Sequence, residues 1–208
     1  ISADLQGRAW MVGMNKALYV LKQDKSGWRK INACATDVNV SAELVTFVGC
    51  NGKIYLGNMD ATKDDADLVP MLDDGYAESS LPGVAAKRIA GIGLSIVPVL
   101  VSDVNDSLWV YNTYMGSWQP YTGLGNITAA DVAVTPEGAA IWVAGKTSSG
   151  APWSPAAANY QAEGDGIPAE AQWLGPNVNF GTSLSFIATT FDGRPYVGGG
   201  GKLFTTSK

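Results

Sequence analysis

Apolar and polar positions alternate along this chain in short runs, and five of those runs repeat one arrangement. An apolar strand leads into a tight polar turn, and the next strand opens on an aliphatic–aromatic–aliphatic triplet. The copies run from Ala9 to Leu21, Val45 to Asn58, Val97 to Asn112, Asp131 to Gly145 and Phe186 to Gly199. Their central aromatics, Tyr19, Tyr55, Trp109, Trp142 and Tyr196, lie 36, 54, 33 and 54 residues apart. Turn chemistry supports the hairpins, because Asn51-Gly52, Pro136-Glu137-Gly138 and Asp192-Gly193 accept the backbone angles that a tight reversal demands. Alternation puts each triplet aromatic on one sheet face and its aliphatic neighbours on the other. With both faces covered by neighbouring sheets, all five aromatics are expected to be mostly buried.

A third strand follows each hairpin, beginning near Trp28, Trp118 and Trp153 and, in the last copy, at Lys202-Leu203-Phe204. Room remains for a fourth, outer strand before the next copy. Four antiparallel strands per repeat, with a period of roughly 30 to 55 residues, describe the blade of a propeller. The sequence therefore predicts an all-β fold, a five-bladed β-propeller, filling residues 1–208 as one domain. The stretch around Asp4 to Trp10 is expected to close the ring by pairing with the last blade. Helix signals are confined to short alanine-containing segments flanked by glycine and proline.

Composition narrows the chemistry. The 208 residues carry 14 Lys plus Arg against 19 Asp plus Glu, a net charge of −5, with no basic stripe to replace phosphate counterions. Nucleic acid is not an expected partner. No apolar run reaches the length of a membrane-spanning helix. Histidine is absent, which removes the commonest general base and metal ligand together. No pairing among the carboxylates is singled out by a motif, so no catalytic residue, metal site or cofactor is expected. The acidic segment from Asp60 to Asp74 does not match a calcium loop in register and reads as solvated. Gly198 to Lys202 lacks the spacing and the following Ser/Thr of a phosphate loop.

Cys34 and Cys50 are the two cysteines, either free thiols or one disulfide. Sequons at Asn39, Asn105 and Asn126 lean toward a secreted glycoprotein, for which the bonded form is expected.

The segment from Ser185 to Phe204 resembles the repeat of tachylectin-type five-bladed propeller lectins: a strand, an Asp-Gly turn, an aromatic-bearing strand and a short turn into a third. Trp28-Arg29-Lys30-Ile31 and Trp118-Gln119-Pro120-Tyr121 are similar to the openings of tectonin repeats. The resemblance implies a secreted, non-catalytic lectin with several shallow sugar sites, for which N-acetylated or methylated sugars are common ligands. The repeats differ in length and share no recurring polar pocket, so fewer sites than blades are expected. Trp28, Trp118 and Trp153 are the candidate stacking platforms, with Asn58 and Asn112 as hydrogen-bonding groups just beyond their triplets. The competing reading makes those tryptophans wedges between sheets, in a secreted propeller that binds or organises proteins without touching sugar.

Overall fold

The computed structural model describes residues 1–3, 7–41, 44–58, 77–91, 100–112, 117–121, 127–134, 140–147, 156–159, 172–173, 186–189 and 195–205. Every regular element among them is a strand. The first sheet has seven strands in sequence order: β1 (Ser2–Ala3), β2 (Ala9–Val12), β3 (Ala17–Leu21), β4 (Trp28–Ser41), β5 (Leu44–Gly49), β6 (Ile54–Asn58) and β7 (Ala77–Ser79). The second is a four-stranded meander of β8 (Ala86–Ala90), β9 (Leu100–Asp103), β10 (Leu108–Asn112) and β11 (Ser117–Pro120). The third, also of four strands, holds β12 (Ile127–Val134), β13 (Ala140–Thr147), β14 (Ala156–Asn159) and β15 (Gln172–Trp173). The last has three described strands, β16 (Phe186–Thr189), β17 (Pro195–Gly199) and β18 (Lys202–Thr205).

The seven-stranded sheet is two meanders sharing one strand. The 14-residue β4 pairs with β3 through its first half and with β5 from Ala35 onward. Each sequence repeat therefore sits in its own antiparallel meander, and the aromatic triplets open or lie within β3, β6, β10, β13 and β17.

The hairpin at the centre of each repeat is built by local chemistry. In the turn after β2, the Lys16 N–H donates to the Gly13 carbonyl at 2.8 Å; after β5, Gly52 donates to Gly49 at 2.9 Å; after β9, Asp106 donates to Asp103 at 3.0 Å. Lys16, Gly52 and Asp106 hold the equivalent left-handed position, with φ of 60°, 74° and 64°. The turn also tethers the triplet aromatic. Asn15 Nδ2 donates to the Tyr19 hydroxyl at 3.0 Å, and Asn51 Nδ2 to the Tyr55 hydroxyl at 2.8 Å. In the third copy the roles shift, with Trp109 Nε1 donating to Asp103 Oδ2 at 2.9 Å.

These tethers explain a departure from the expected burial. Leu18, Val20, Ile54, Leu108 and Val110 are buried as the alternation requires, but Tyr19, Tyr55, Trp109 and Tyr196 are only half-buried. The tethered rings of Tyr19, Tyr55 and Trp109 lie back over their own hairpins instead of entering a second covered face. Trp142 lies on β13 opposite Ala133 and Ala157.

Two apolar clusters fill the space between meanders. One gathers Trp10, Leu18, Val20, Ile31, Val38, Val45 and Phe47; the other gathers Val48, Ile54, Leu81, Ile89, Val101 and Trp118. The first strands of successive meanders pack side by side: β1 against β4, β4 against β8, β8 against β12 and β12 against β16. Side chains join them. Ser2 Oγ accepts the Val40 N–H at 3.0 Å, Asp37 Oδ2 the Ile89 N–H at 2.9 Å, and Asp131 Oδ2 the Ile187 N–H at 2.9 Å.

The expected ring closure takes a different form. Ser2 pairs with Trp10 and Ala3 with Ala9, while Trp10 pairs with Val20. Ala9 and Trp10 are thus ladder partners within the first meander and not an added strand of the last. Trp10 is buried in the first cluster, and moving it to another sheet would empty that cluster of its largest side chain.

A Cβ built on Gly49 would lie 2.6 Å from Tyr55 Cε2. The ring cannot swing aside, because it stacks on Phe47 with centroids 5.0 Å apart and is tied to Asn51. Gly49→Ala is expected to destabilise the protein by about 1–3 kcal/mol, as overpacking does. Gly27→Ala, where the new Cβ would meet nothing within 4 Å, should fall within about 0.5 kcal/mol of the parent in urea unfolding.

Candidate functional site

An open groove of about 280 Å³ lies where β4 passes from the first meander to the second, lined by Asn32, Ala33, Cys34, Phe47, Cys50, Asn51 and Tyr55. Its position follows from an irregularity in register. Leu18 faces Ile31 and Ala17 faces Cys34, so Asn32 and Ala33 are extra residues with no partner on β3. A bulge bends a strand and re-aims its side chains, and here it supplies one wall of the groove. The opposite wall is the β5–β6 hairpin tip, Cys50 and Asn51. Phe47 and Tyr55, stacked with an interplanar angle of 16°, complete the lining.

The walls are tied together. Cys34 and Cys50 form a disulfide with Cα atoms 5.4 Å apart, and the Cys50 N–H donates to the Cys34 carbonyl at 3.1 Å. Both cysteines are exposed. The bond closes a loop of sequence separation 16, which by chain entropy stabilises the fold by about 3 kcal/mol. None of the lining residues is charged. The groove offers aromatic carbon, sulfur and amide groups, a surface suited to a neutral ligand that is part apolar and part hydrogen-bonding.

The residues singled out in the sequence fall in several places. Trp28 opens β4 opposite Leu21 and is 41% exposed, so part of its indole is free to receive a ligand. Trp118 occupies the matching place opposite Tyr111 but is only 6% exposed. Its Nε1 donates to Ser79 Oγ of β7 at 2.6 Å, and Tyr111 meets it edge-on at 5.2 Å. Trp118 is therefore a wedge between two meanders and presents no open face. Asn58 ends β6 opposite Leu44, and Asn112 ends β10 opposite Ser117. Trp153 and the Asp60–Asp74 segment lie outside the described residues. The sequence assigns no ligand role to the groove residues; the Asn51-Gly52 turn, the triplet aromatic Tyr55 and the Cys34/Cys50 pair are the local signals pointing there.

A charged cluster lies apart from the groove, among the inner strands. Arg88 of β8 stands between two carboxylates, with Nη1 4.0 Å from Asp37 Oδ1 and Nε 3.8 Å from Asp131 Oδ1. Burial raises the Asp37 carboxyl above its ordinary value, against the pull of the Ile89 N–H and of Arg88. Burial also dominates at Asp131, pushed up to about 6; the Asp37 charge adds to the rise, while the Ile187 N–H and Arg88 oppose it. Among the described residues, no group of three or more Asp, Glu, Cys or His side chains is gathered to hold a metal ion. None of their elements is a helix long and apolar enough to cross a membrane.

With this geometry in view, comparison places the chain in a structural class, the β-propellers. A solved structure described as YCF48 bound to D1 peptide, a β-propeller protein, matches with a TM-score of 0.57 at 14% sequence identity. The match covers 99% of this chain, which spans 62% of the length of that one. No family model matches the sequence, and no curated protein matches it.

The inner carboxylates set a pH dependence. A carboxyl whose native pKa lies above its unfolded value of 3.8 holds its proton better when folded. Its contribution to stability is full below about 3.8 and is lost as the pH rises through about 6. The urea midpoint should therefore rise as the pH is lowered from 7 to 5, and carbon-detected NMR should find Asp131 titrating near 6. A midpoint in the ordinary aspartate range, near 4, would show that water reaches the carboxylate.

Proposed function

We propose that this chain is a non-catalytic carbohydrate-binding protein, a five-bladed propeller in one domain, that takes a neutral sugar in the groove at the first crossover. The observation that carries this reading is the uncharged, aromatic-bearing lining with amide groups at its edge. A pyranose has an apolar C–H face and a hydroxyl rim. The first suits the side of Tyr55, and the second suits Asn32 and Asn51. The volume falls near the lower end of small-ligand pockets, roughly 300–1,000 Å³, which fits one ring better than two. The exposed indole of Trp28 offers a further stacking surface. Several weak contacts on a rigid frame would act together on a dense glycan surface. The exposed disulfide is consistent with a secreted protein.

The second reading is protein or peptide binding. Met14 and Val104 occupy matching hairpin tips and are both exposed apolar side chains. The structurally similar YCF48 is described as bound to a peptide. That reading requires the hairpin tips, and the sugar reading requires the groove.

Binding to a broad array of neutral glycans tests the choice. Asn32→Ala should lower array binding about tenfold, corresponding to loss of one hydrogen bond of roughly 1.4 kcal/mol, with circular dichroism unchanged. Trp118→Ala should instead destabilise the fold by about 3–5 kcal/mol, as removal of a buried indole does. If the parent binds no glycan, and Met14→Ser with Val104→Ser abolishes capture of a peptide library, the second reading replaces the first.

A further inference from the structure

We propose that the Cys34–Cys50 disulfide is a redox gate on the groove: the bonded form holds the binding surface together, and the dithiol form lets it come apart while the fold persists. This rests on the reading of the groove as the ligand site.

The bond sits where the ladder is interrupted. Asn32 and Ala33 have no ladder partners on β3, so the ladder holds the wall at Ile31 and Cys34, while Ala33 packs against the first apolar cluster. Beyond the bulge, the Ala35 N–H donates to the Lys16 carbonyl at 2.8 Å, and Ala35 pairs with Gly49 before a second register shift at Thr36. The disulfide joins the two sides covalently, side chain to side chain, across the groove mouth. Cutting it removes that link and leaves the backbone contacts, the 3.1 Å Cys50-to-Cys34 bond and the Ala35–Gly49 pair.

The framework beneath does not depend on the sulfurs. Trp10, Leu18, Val20, Val45 and Phe47 form their cluster from residues on β2, β3 and β5, with β4 contributing Ile31, Val38 and Val40. The ladders from Ala35 to Ser41 against β5, and the Ala86 N–H to Gly52 carbonyl bond at 2.9 Å, hold the second hairpin in place. Reduction therefore loosens a two-residue bulge and a hairpin tip without emptying a core.

The bond is also reachable. Both cysteines are exposed and both line the groove. Exposed disulfides are the labile ones in exchange with external thiols. A dithiol, whether small or borne on a protein, would attack one sulfur, form a mixed disulfide and be released as its own cyclic disulfide. Two electrons and two protons pass to the cysteines, and an oxidant of the disulfide class reverses the step.

The experiment uses the full chain, oxidised and then reduced with dithiothreitol, with amide exchange followed by NMR. Retention is measured in parallel on immobilised N-acetylglucosamine, galactose and mannose. The expected result is a rise in exchange at residues 32–34 and 50–53 at least tenfold beyond the uniform rise that a less stable fold gives at the amides of Val20, Val45, Val101 and Val110. Retention on the sugar that holds the oxidised protein should fall at least tenfold and return on reoxidation. Unchanged exchange at the groove overturns the proposal. So does a rise at all four valines equal to that at the groove, because the bond would then act only as a staple for the whole fold. If the groove amides respond but neither form is retained on any sugar, the gate stands and the carbohydrate reading falls. The pair Cys34→Ser with Cys50→Ser should reproduce the reduced state. Should it not fold, Cys34→Val with Cys50→Ala supplies an apolar pair, for which groove exchange as slow as in the oxidised parent would again overturn the proposal.

Discussion

A sheet that ends inside a protein leaves a row of backbone N–H groups facing its neighbour with nothing to accept them. This constraint governs the molecule, because several meanders bring their first strands together near its centre. Burying such donors without partners costs about 1–3 kcal/mol each. The neighbouring strand meets part of the demand with side chains. Asp37 accepts from Ile89, Asp131 from Ile187, and the Ser2 hydroxyl from Val40. Asn39 adds a donor in the opposite sense, from Nδ2 to the Gly91 carbonyl at 2.5 Å. The carboxylates are held in a dry place for this purpose, which is why burial raises both. Arg88 between them tempers the charge without forming a close pair.

The same constraint limits what the sequence could disclose. Hairpins were legible because their causes are local: a glycine or asparagine at the turn, alternation on both sides, and an aromatic a fixed distance on. The half-burial of Tyr19 and Tyr55 was not, since alternation says which face a side chain takes and not whether anything covers that face. Trp28 and Trp118 make the point most clearly. They occupy matching places after matching strands, yet one is open and the other sealed. What seals Trp118 is Ser79, far back in the chain and on another meander. Asn32 and Ala33 have no glycine or proline beside them to break the strand pattern, so the bulge that makes the groove had little signal of its own.

The first crossover concentrates what is distinctive about this chain. The strand changes sheets there, the bulge turns its side chains outward, and the two cysteines meet across the opening. Each of these depends on the others. Without the change of sheets there would be no gap between hairpins; without the bulge the gap would be lined by backbone; without the sulfurs its two sides would lose their covalent link. The uncharged lining sets the groove apart in a protein of net charge −5.

Sharing β4 between two meanders has a consequence for how such a chain can change over evolutionary time. Repeat proteins grow and shrink by gaining or losing whole units, and a unit can be copied cleanly only where its boundary falls in a loop. Between β7 and β8 the boundary does so. Between the first and second meanders it falls inside a continuous strand, and an excision there would leave one sheet without its edge and the other without its beginning. The first two repeats can therefore be copied or lost only together.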